Sequence, residues 1–287
     1  FNYIGSEGAK NLKLPDCLTT LDLAWNWIVD IRETWLTRPN ILTKLDLTGN
    51  PIGDKGAASL KLSSCLTILI LTECDIGYEG ARAFEFPESL ISLCMGRNKL
   101  GDKGARNLKL PNGIRKLELY GNSIGAEGAK YLRLPTNLSI LELSRNSIGS
   151  KGVKDLKLPA NLSNLYLSNN SIGGDCVIHL KFPDTLERLC LGDNAIGDEG
   201  AKNLKLPESI TTLDLSRNMI GDIGAKCLTL PKKLTSLYIN GNRIGDIGVR
   251  GLKLPRGLLY ISMFLMTIGD ETLHYLYLQC PQAEIQK

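Results

Sequence analysis

The chain has 287 residues, 43% of them hydrophobic, and its 34 Lys and Arg against 30 Asp and Glu leave a net charge of only +4. No stretch reaches the roughly 18 consecutive apolar residues that a membrane helix needs, and no charged segment followed by an apolar run at Phe1 marks a signal peptide. Length alone suggests about two domains, yet no Pro- or Ser-rich linker, low-complexity tract or change of composition marks a boundary.

A step of 24 residues organises the chain. Asn2, Asn26, Asn50, Cys74, Asn98, Asn122, Asn146, Asn170, Asn194, Asn218, Asn242 and Met266 stand at that interval, and ten of the twelve are Asn. A period of about 20 to 50 residues is the mark of a solenoid. Leucines precede each Asn by eight, five and three places and Ile-Gly follows, as in Leu138, Leu141, Leu143, Asn146, Ile148 and Gly149. This resembles the leucine-rich repeat pattern L-x-x-L-x-L-x-x-N/C-x-L, with Cys74 as the permitted variant. The I-G-D-x-G-A that follows, at Ile52–Ala57 and Ile196–Ala201, is similar to the ribonuclease-inhibitor-like class. The resemblance implies a right-handed α/β solenoid with one parallel sheet and short helices. Helices pack about 8 to 10 Å apart and strands under about 5 Å, so the stack should curve with the sheet concave and the helices convex. One domain, 1–287, of about twelve coils is expected, with 266–287 as a C-terminal cap. Phe1 stands inside a coil, so the chain is expected to be a fragment of a longer protein.

Near the start, WNWIVDIRETWLTRP over residues 25–39 breaks the pattern. Val29 replaces the glycine three places past the Asn, Arg32 and Glu33 replace the later Gly and Ala, and all three tryptophans, Trp25, Trp27 and Trp35, fall here. They read as a docking spot, as filler where small residues were lost, or as the joint with a preceding domain. In the regular coils the glycine predicts φ above zero or a close approach. The Asp or Ser after it, as at Asp102, Ser150 and Asp222, predicts an N-cap. Ala105 and Leu108 then share one face of a helix of about two turns, which Leu110-Pro111 should end because the residue before proline avoids the helical region. Helices this short depend on burial for their stability. Around Leu165 and Leu167 the alternation predicts a strand with Asn164, Tyr166 and Ser168 facing outward. Each Asn should turn inward and pair backbone groups that the turn leaves open. The predicted ladder comprises Asn26, Asn50, Asn98, Asn122, Asn146, Asn170, Asn194, Asn218 and Asn242. From Met266 the ladder residue is lost and extra aromatics appear, as in a capping repeat.

The eight cysteines do not form a disulfide pattern. Cys17 and Cys65 share a slot two coils apart, roughly 10 Å by strand spacing and beyond bridging range. Cys94 and Cys190 share another slot, four coils apart. Free thiols predict a reducing compartment, the cytoplasm of the producing cell or of a host cell. Triplets of the N-x-S/T type at Asn137, Asn161 and Asn169 are read as by-products of a repeat rich in Asn, Leu and Ser.

Outward strand positions form columns. Four places before the Asn the column runs Asp22, Asp46, Ile70, Cys94, Glu118, Glu142, Tyr166, Cys190, Asp214, Tyr238 and Ser262. Two places before it stand Tyr120, Asn240 and Phe264, and one place before it Trp25, Arg97, Arg145 and Arg217. Exposed aromatics and arginines favour protein interfaces. The predicted partner-binding set is therefore Trp25, Trp27, Ile70, Arg97, Glu118, Tyr120, Glu142, Arg145, Tyr166 and Tyr238. Two convex columns hold sixteen of the Lys and Arg residues. Glu7, Glu79, Glu127 and Glu199 stand three places before their basic partners, and the other lysines sit at helix ends, so this stripe reads as a solvated face. It also lacks regular aromatics to stack on bases.

His179 and His274 lie in different coils with no nucleophile at a working distance, so no catalytic residue is expected. G-D-x-G-A lacks the Lys and Ser/Thr of a phosphate loop, and no metal site or cofactor is implied. The leading expectation is a monomeric, non-enzymatic scaffold that binds a partner protein on its concave face. The uniform repeats resemble intracellular ribonuclease-inhibitor-like proteins and secreted effectors of intracellular bacteria. Two other readings stay open: a targeting module for an enzyme domain outside this sequence, such as a ligase or GTPase regulator, and a nucleic-acid binder along the basic stripe.

Overall fold

The computed structural model describes residues 2–29 and 41–287; Trp35, Arg32 and Glu33 of the irregular coil lie outside them. The chain divides into two compact units, Phe1–Asn146 and Ser147–Lys287.

The first unit contains strands β1 (Thr20–Asp22), β2 (Lys44–Asp46), β3 (Ile68–Ile70), β4 (Ser92–Cys94), β5 (Lys116–Glu118) and β6 (Ile140–Glu142). They pair in chain order, all parallel, each residue meeting the one 24 places on, as in Leu45 with Leu69 and Leu117 with Leu141. Helix α1 (Gly5–Lys10) precedes them, and α2 (Gly53–Ser59), α3 (Tyr78–Ala83), α4 (Gly101–Asn107) and α5 (Ala126–Tyr131) alternate with β2 to β6. The second unit repeats the plan. Its helices are α6 (Gly149–Asp155), α7 (Gly174–Val177), α8 (Gly197–Asn203), α9 (Asp222–Cys227), α10 (Asp246–Gly251) and α11 (Asp270–Gln279). Its strands are β7 (Asn164–Tyr166), β8 (Arg188–Cys190), β9 (Thr212–Asp214), β10 (Ser236–Tyr238), β11 (Tyr260–Ser262) and β12 (Glu284–Gln286). Here too each strand pairs in parallel with its successor.

Burial follows the repeat. In the coil around Asn146, Leu138, Leu141, Leu143 and Ile148 are fully buried, and each such side chain stabilises the fold by about 1.5 to 3 kcal/mol. The three-residue strands can be this short because, within each unit, every coil adds the same apolar set to that unit's core.

The asparagines link coils as well as closing them. Asn122 donates from Nδ2 to the carbonyls of Leu119, in its own coil, and Met95, in the coil before, at 3.1 and 2.7 Å. Its own backbone N–H and that of Ile124 donate to Oδ1 of Asn146, at 2.9 and 3.0 Å. One carboxamide thus satisfies backbone groups of two coils, which is why the slot requires both a donor and an acceptor. Cys74 supplies only half of this. Its thiol donates to the Leu47 carbonyl at 3.1 Å, burial pushes the thiol pKa up to about 12, and the Ile52 N–H turns to the Asn50 carbonyl instead, at 2.7 Å.

Two local expectations need correcting. The acid after the repeat glycine does not cap its own helix; it caps the next one. Asp54 Oδ1 accepts from the N–H groups of Gly77 and Gly80, at 2.6 and 3.0 Å, and Asp102 does the same for Gly125 and Gly128, at 2.6 and 2.9 Å. Asp198 and Asp222 repeat this on Gly221 and Gly224 and on Gly245 and Gly248. The acid falls inside its own helix, as in Asp54 of α2, where no N-terminal amide is within its reach, while the open amides of the following helix lie beside it. Where the cross-coil cap forms, the glycine's conformation goes with it. Gly77, Gly125, Gly221 and Gly245, each preceded by such an Asp, have φ near −100°. Gly101 and Gly197, whose preceding coils carry Tyr78 and Gly174 in that slot, adopt φ of +56° and +61° and donate instead to the carbonyls of Asn122 and Asn218. Replacing Asp198 by alanine is expected to cost about 1.5 kcal/mol, since two amides lose a charged acceptor. Urea unfolding measures this, and a change within error would contradict the cross-coil cap.

The second correction concerns the helix end. α4 stops at Asn107, and Leu108 is already extended with ψ 115°. The stop therefore precedes Leu110-Pro111; the buried Leu108 turns inward and pulls the chain out of the helix. Pro111 serves the next turn, its carbonyl accepting from the Ile114 N–H at 3.3 Å.

Candidate protein-docking surface

The outer face of the first unit's sheet carries an open trough of about 560 Å3. Trp25, Thr48, Thr72, Glu73, Arg97, Glu118, Tyr120, Glu142, Ser144 and Arg145 line it. Six of the ten residues expected to bind a partner, Trp25, Arg97, Glu118, Tyr120, Glu142 and Arg145, therefore meet in one place. Ile70 is half-buried on β3 outside the lining, and Trp27 is 63% exposed beyond it. Tyr166 and Tyr238 belong to the second unit, half-buried on β7 and β10. There Tyr238 packs against Tyr260 with ring centroids 5.1 Å apart, beside an exposed Phe264.

The aromatic walls rest on glycines. A Cβ on Gly49 would come within 2.3 Å of the Trp25 ring, and one on Gly96 within 2.2 Å of the Tyr120 ring. Each ring lies over the glycine that fills its own slot one coil away, Trp25 leaning forward and Tyr120 back. Reading columns for large residues alone misses these seats; the signal was a glycine beside an aromatic in the same column. The arginine edge uses the same device, with a Gly121 Cβ falling 3.3 Å from the Arg97 Cγ. Thr48, Thr72, Glu73 and Ser144 were likewise not singled out by sequence.

Charges in the trough are mixed. Arg97 Nη1 pairs with Glu73 at 2.6 Å, which holds the guanidinium pKa above its usual value, and Lys116 pairs with Glu118 at 2.7 Å. Glu142 accepts from the Ser144 N–H at 2.7 Å, yet burial, with a smaller push from the Glu118 charge on the neighbouring strand, raises its pKa. Arg145 is exposed and makes no ion pair among the described residues. Aromatic faces, an exposed guanidinium and neighbouring carboxylates suit recognition of another polypeptide.

Cys94 corrects another expectation. It was placed on the open face, but it is buried and its thiol pKa is pushed up to about 12 by desolvation. None of the eight cysteines takes part in a disulfide. His179 lies just past the short α7 and His274 on α11, both exposed. Among the described residues no group of three or more His, Cys, Asp or Glu is placed to hold a metal ion, and no helix is long and apolar enough to cross a membrane.

A family model for the leucine-rich repeat matches residues 17–30, 40–61, 62–84, 135–157, 184–205, 207–228 and 231–253, together just over half of the chain. The chain belongs to the leucine-rich repeat family. Among solved structures, this leucine-rich repeat protein is similar to an internalin (inlF) from Listeria monocytogenes, with a TM-score of 0.58 and 22% identity over 95% of this chain and 81% of the internalin. It is also similar to YopM from Yersinia enterocolitica, with a TM-score of 0.52 and 21% identity. That match covers 96% of this chain and 60% of YopM. At these identities the likeness is one of fold. No curated protein sequence matches the leucine-rich repeat chain significantly.

Proposed function

We propose that this protein is an interaction scaffold that docks a partner protein against the outer face of its sheet, through the trough between Trp25 and Tyr120, and performs no chemistry of its own. The observation that carries this reading is the convergence of two glycine-seated aromatics with Arg145 and the Glu118–Glu142 pair in one open trough. Rigid aromatic anchors ringed by polar groups are the composition of binding hot spots. Tyr166 and Tyr238 occupy in the second unit the repeat slot that Glu118 and Glu142 hold in the first, and are proposed as partner contacts of that unit's own sheet. The unbroken spacing of 24 residues through Asn146 and Asn170 supports treating all coils as one repeat domain. Unpaired thiols support a reducing compartment, the cytoplasm of the producing cell or of a host. A protein partner in a host cell would make the chain an effector.

The test is a cross-linking pull-down with the native chain and a Trp25→Ala/Tyr120→Ala/Arg145→Ala variant, read by quantitative mass spectrometry. The three side chains are exposed or half-buried, so the fold should persist by circular dichroism, while specific capture should drop by about tenfold or more, as for hot-spot residues. Gly96→Ala, which displaces Tyr120 from its seat, should weaken the same capture. Unchanged capture in both variants would rule out the trough.

A further inference from the structure

On the helix side of the first unit a second cavity, of about 640 Å3, opens between α4 and α5. Its lining is Arg106, Asn107, Leu108, Lys109 and Leu110 from one coil, and Tyr131 and Arg133 from the next. Three of these seven residues are cations and none is an acid.

Elsewhere on this side some of the basic residues are matched. Lys10, Arg82 and Lys202 pair with Glu7, Glu79 and Glu199, at 3.2, 3.9 and 3.9 Å. In the α4 coil the residue three places before Arg106 is Lys103, so the matching acid is missing. Arg106, Lys109 and Arg133 are all exposed and make no ion pair among the described residues. Glu85 and Glu88 line an adjoining groove that Lys109 also lines, and among the described residues neither makes an ion pair with it. Tyr131 supplies the remaining wall. The Arg106 guanidinium sits 4.8 Å from its ring centroid and the Lys130 ammonium 5.4 Å. Stacking on a ring holds a guanidinium in place and leaves its in-plane N–H donors available. The slot that Tyr131 fills is held in the preceding coil by Asn107.

Three unmatched cations around one cavity, one of them braced on an aromatic ring, call for multivalent negative charge in a compact form. We propose that this cavity binds a small polyanion carrying two or more phosphate groups, either free or as the headgroup of a lipid. Guanidinium and ammonium donors together match the geometry of phosphate oxygens. The site occupies two coils only and offers a single aromatic, which favours a compact ligand over the long track and repeated stacking that a nucleic acid uses.

Two probes test it: inorganic tripolyphosphate in a calorimetric titration, and phosphatidylcholine vesicles containing a phosphatidylinositol bisphosphate in a sedimentation assay. Each is applied to the native chain, to Arg106→Gln/Lys109→Gln/Arg133→Gln, and to Lys154→Gln/Lys157→Gln/Lys181→Gln, which removes equal charge from exposed positions elsewhere. The native chain should bind at least one probe saturably, the first variant should lose about tenfold or more of that affinity, and the second should keep it. Selective loss toward tripolyphosphate supports a free phosphate ligand, and selective loss toward vesicles alone supports a lipid headgroup. The proposal falls if neither probe binds saturably, if both variants lose binding alike, or if both keep it. Single-stranded RNA that binds the native chain and both variants in proportion to their charge, with no selective response to the other probes, would also overturn it in favour of diffuse attraction.

Discussion

Asn194→Ala is expected to destabilise the protein by about 4 kcal/mol, because two backbone N–H groups are left without an acceptor, at about 1 to 3 kcal/mol each, and three carbonyls each lose one of their donors. The side chain is fully buried. Its Nδ2 donates to the carbonyls of Leu167 and Leu191 at 2.9 and 3.0 Å, and its Oδ1 accepts from the N–H groups of Asn170 and Ile172 at 2.9 and 3.3 Å. Urea denaturation of the full chain measures the loss. A change under about 1 kcal/mol would mean that the ladder is incidental to stability, contrary to the usual cost of buried unpaired groups.

Gly174→Ala is expected to cost about 2 to 3 kcal/mol, through overpacking that no side-chain rotation can relieve. An added Cβ would lie 2.3 Å from the Ile196 carbonyl oxygen and 3.1 Å from the Gly200 nitrogen, both of them backbone atoms. Gly200 faces it reciprocally, its own added Cβ falling 2.8 Å from the Gly174 Cα. The first turn of α7 thus touches α8 through two glycines, and α7 must move away if either gains a side chain. Alanine's better helix propensity, worth about 1 kcal/mol, offsets part of the clash. Gly197→Ala is the informative comparison. That glycine has open space around it but φ of +61°, so only the left-handed strain of about 1 to 2 kcal/mol applies. Thermal unfolding of the two variants should rank Gly174→Ala as the less stable; the reverse order would refute the close helix approach.

Much of the docking surface could be read from columns. Glu118, Tyr120 and Glu142 sit on the sheet's outer face because alternation along a short strand assigns faces without further information, whereas Arg145 lies past β6 in a bend with φ of +56°. Cys94 shows the limit of that rule. Its column is outward, yet its neighbours cover it, and a residue type that accepts burial is covered at little cost. Trp25 and Tyr120 could be named as candidates, but their rings are held by Gly49 and Gly96, and only the stacked coils reveal which neighbour each ring leans on.

The repeat alone determined what each coil does for itself: the buried leucines, the inward asparagine, the three-residue strand and the glycine after Ile. These follow from hydrophobic period and backbone need within some 24 residues, where the contacting groups are sequence neighbours. What passes between coils was decided only by the tertiary structure. Asp54 caps Gly77 and not its own helix, Gly125 and Gly149 occupy opposite signs of φ in the same slot, and Arg106 is left without an acid while Arg82 keeps one. The physical reason is that such partners are chosen by the offset between stacked coils. A column of identical letters leaves that offset open until backbone packing sets it.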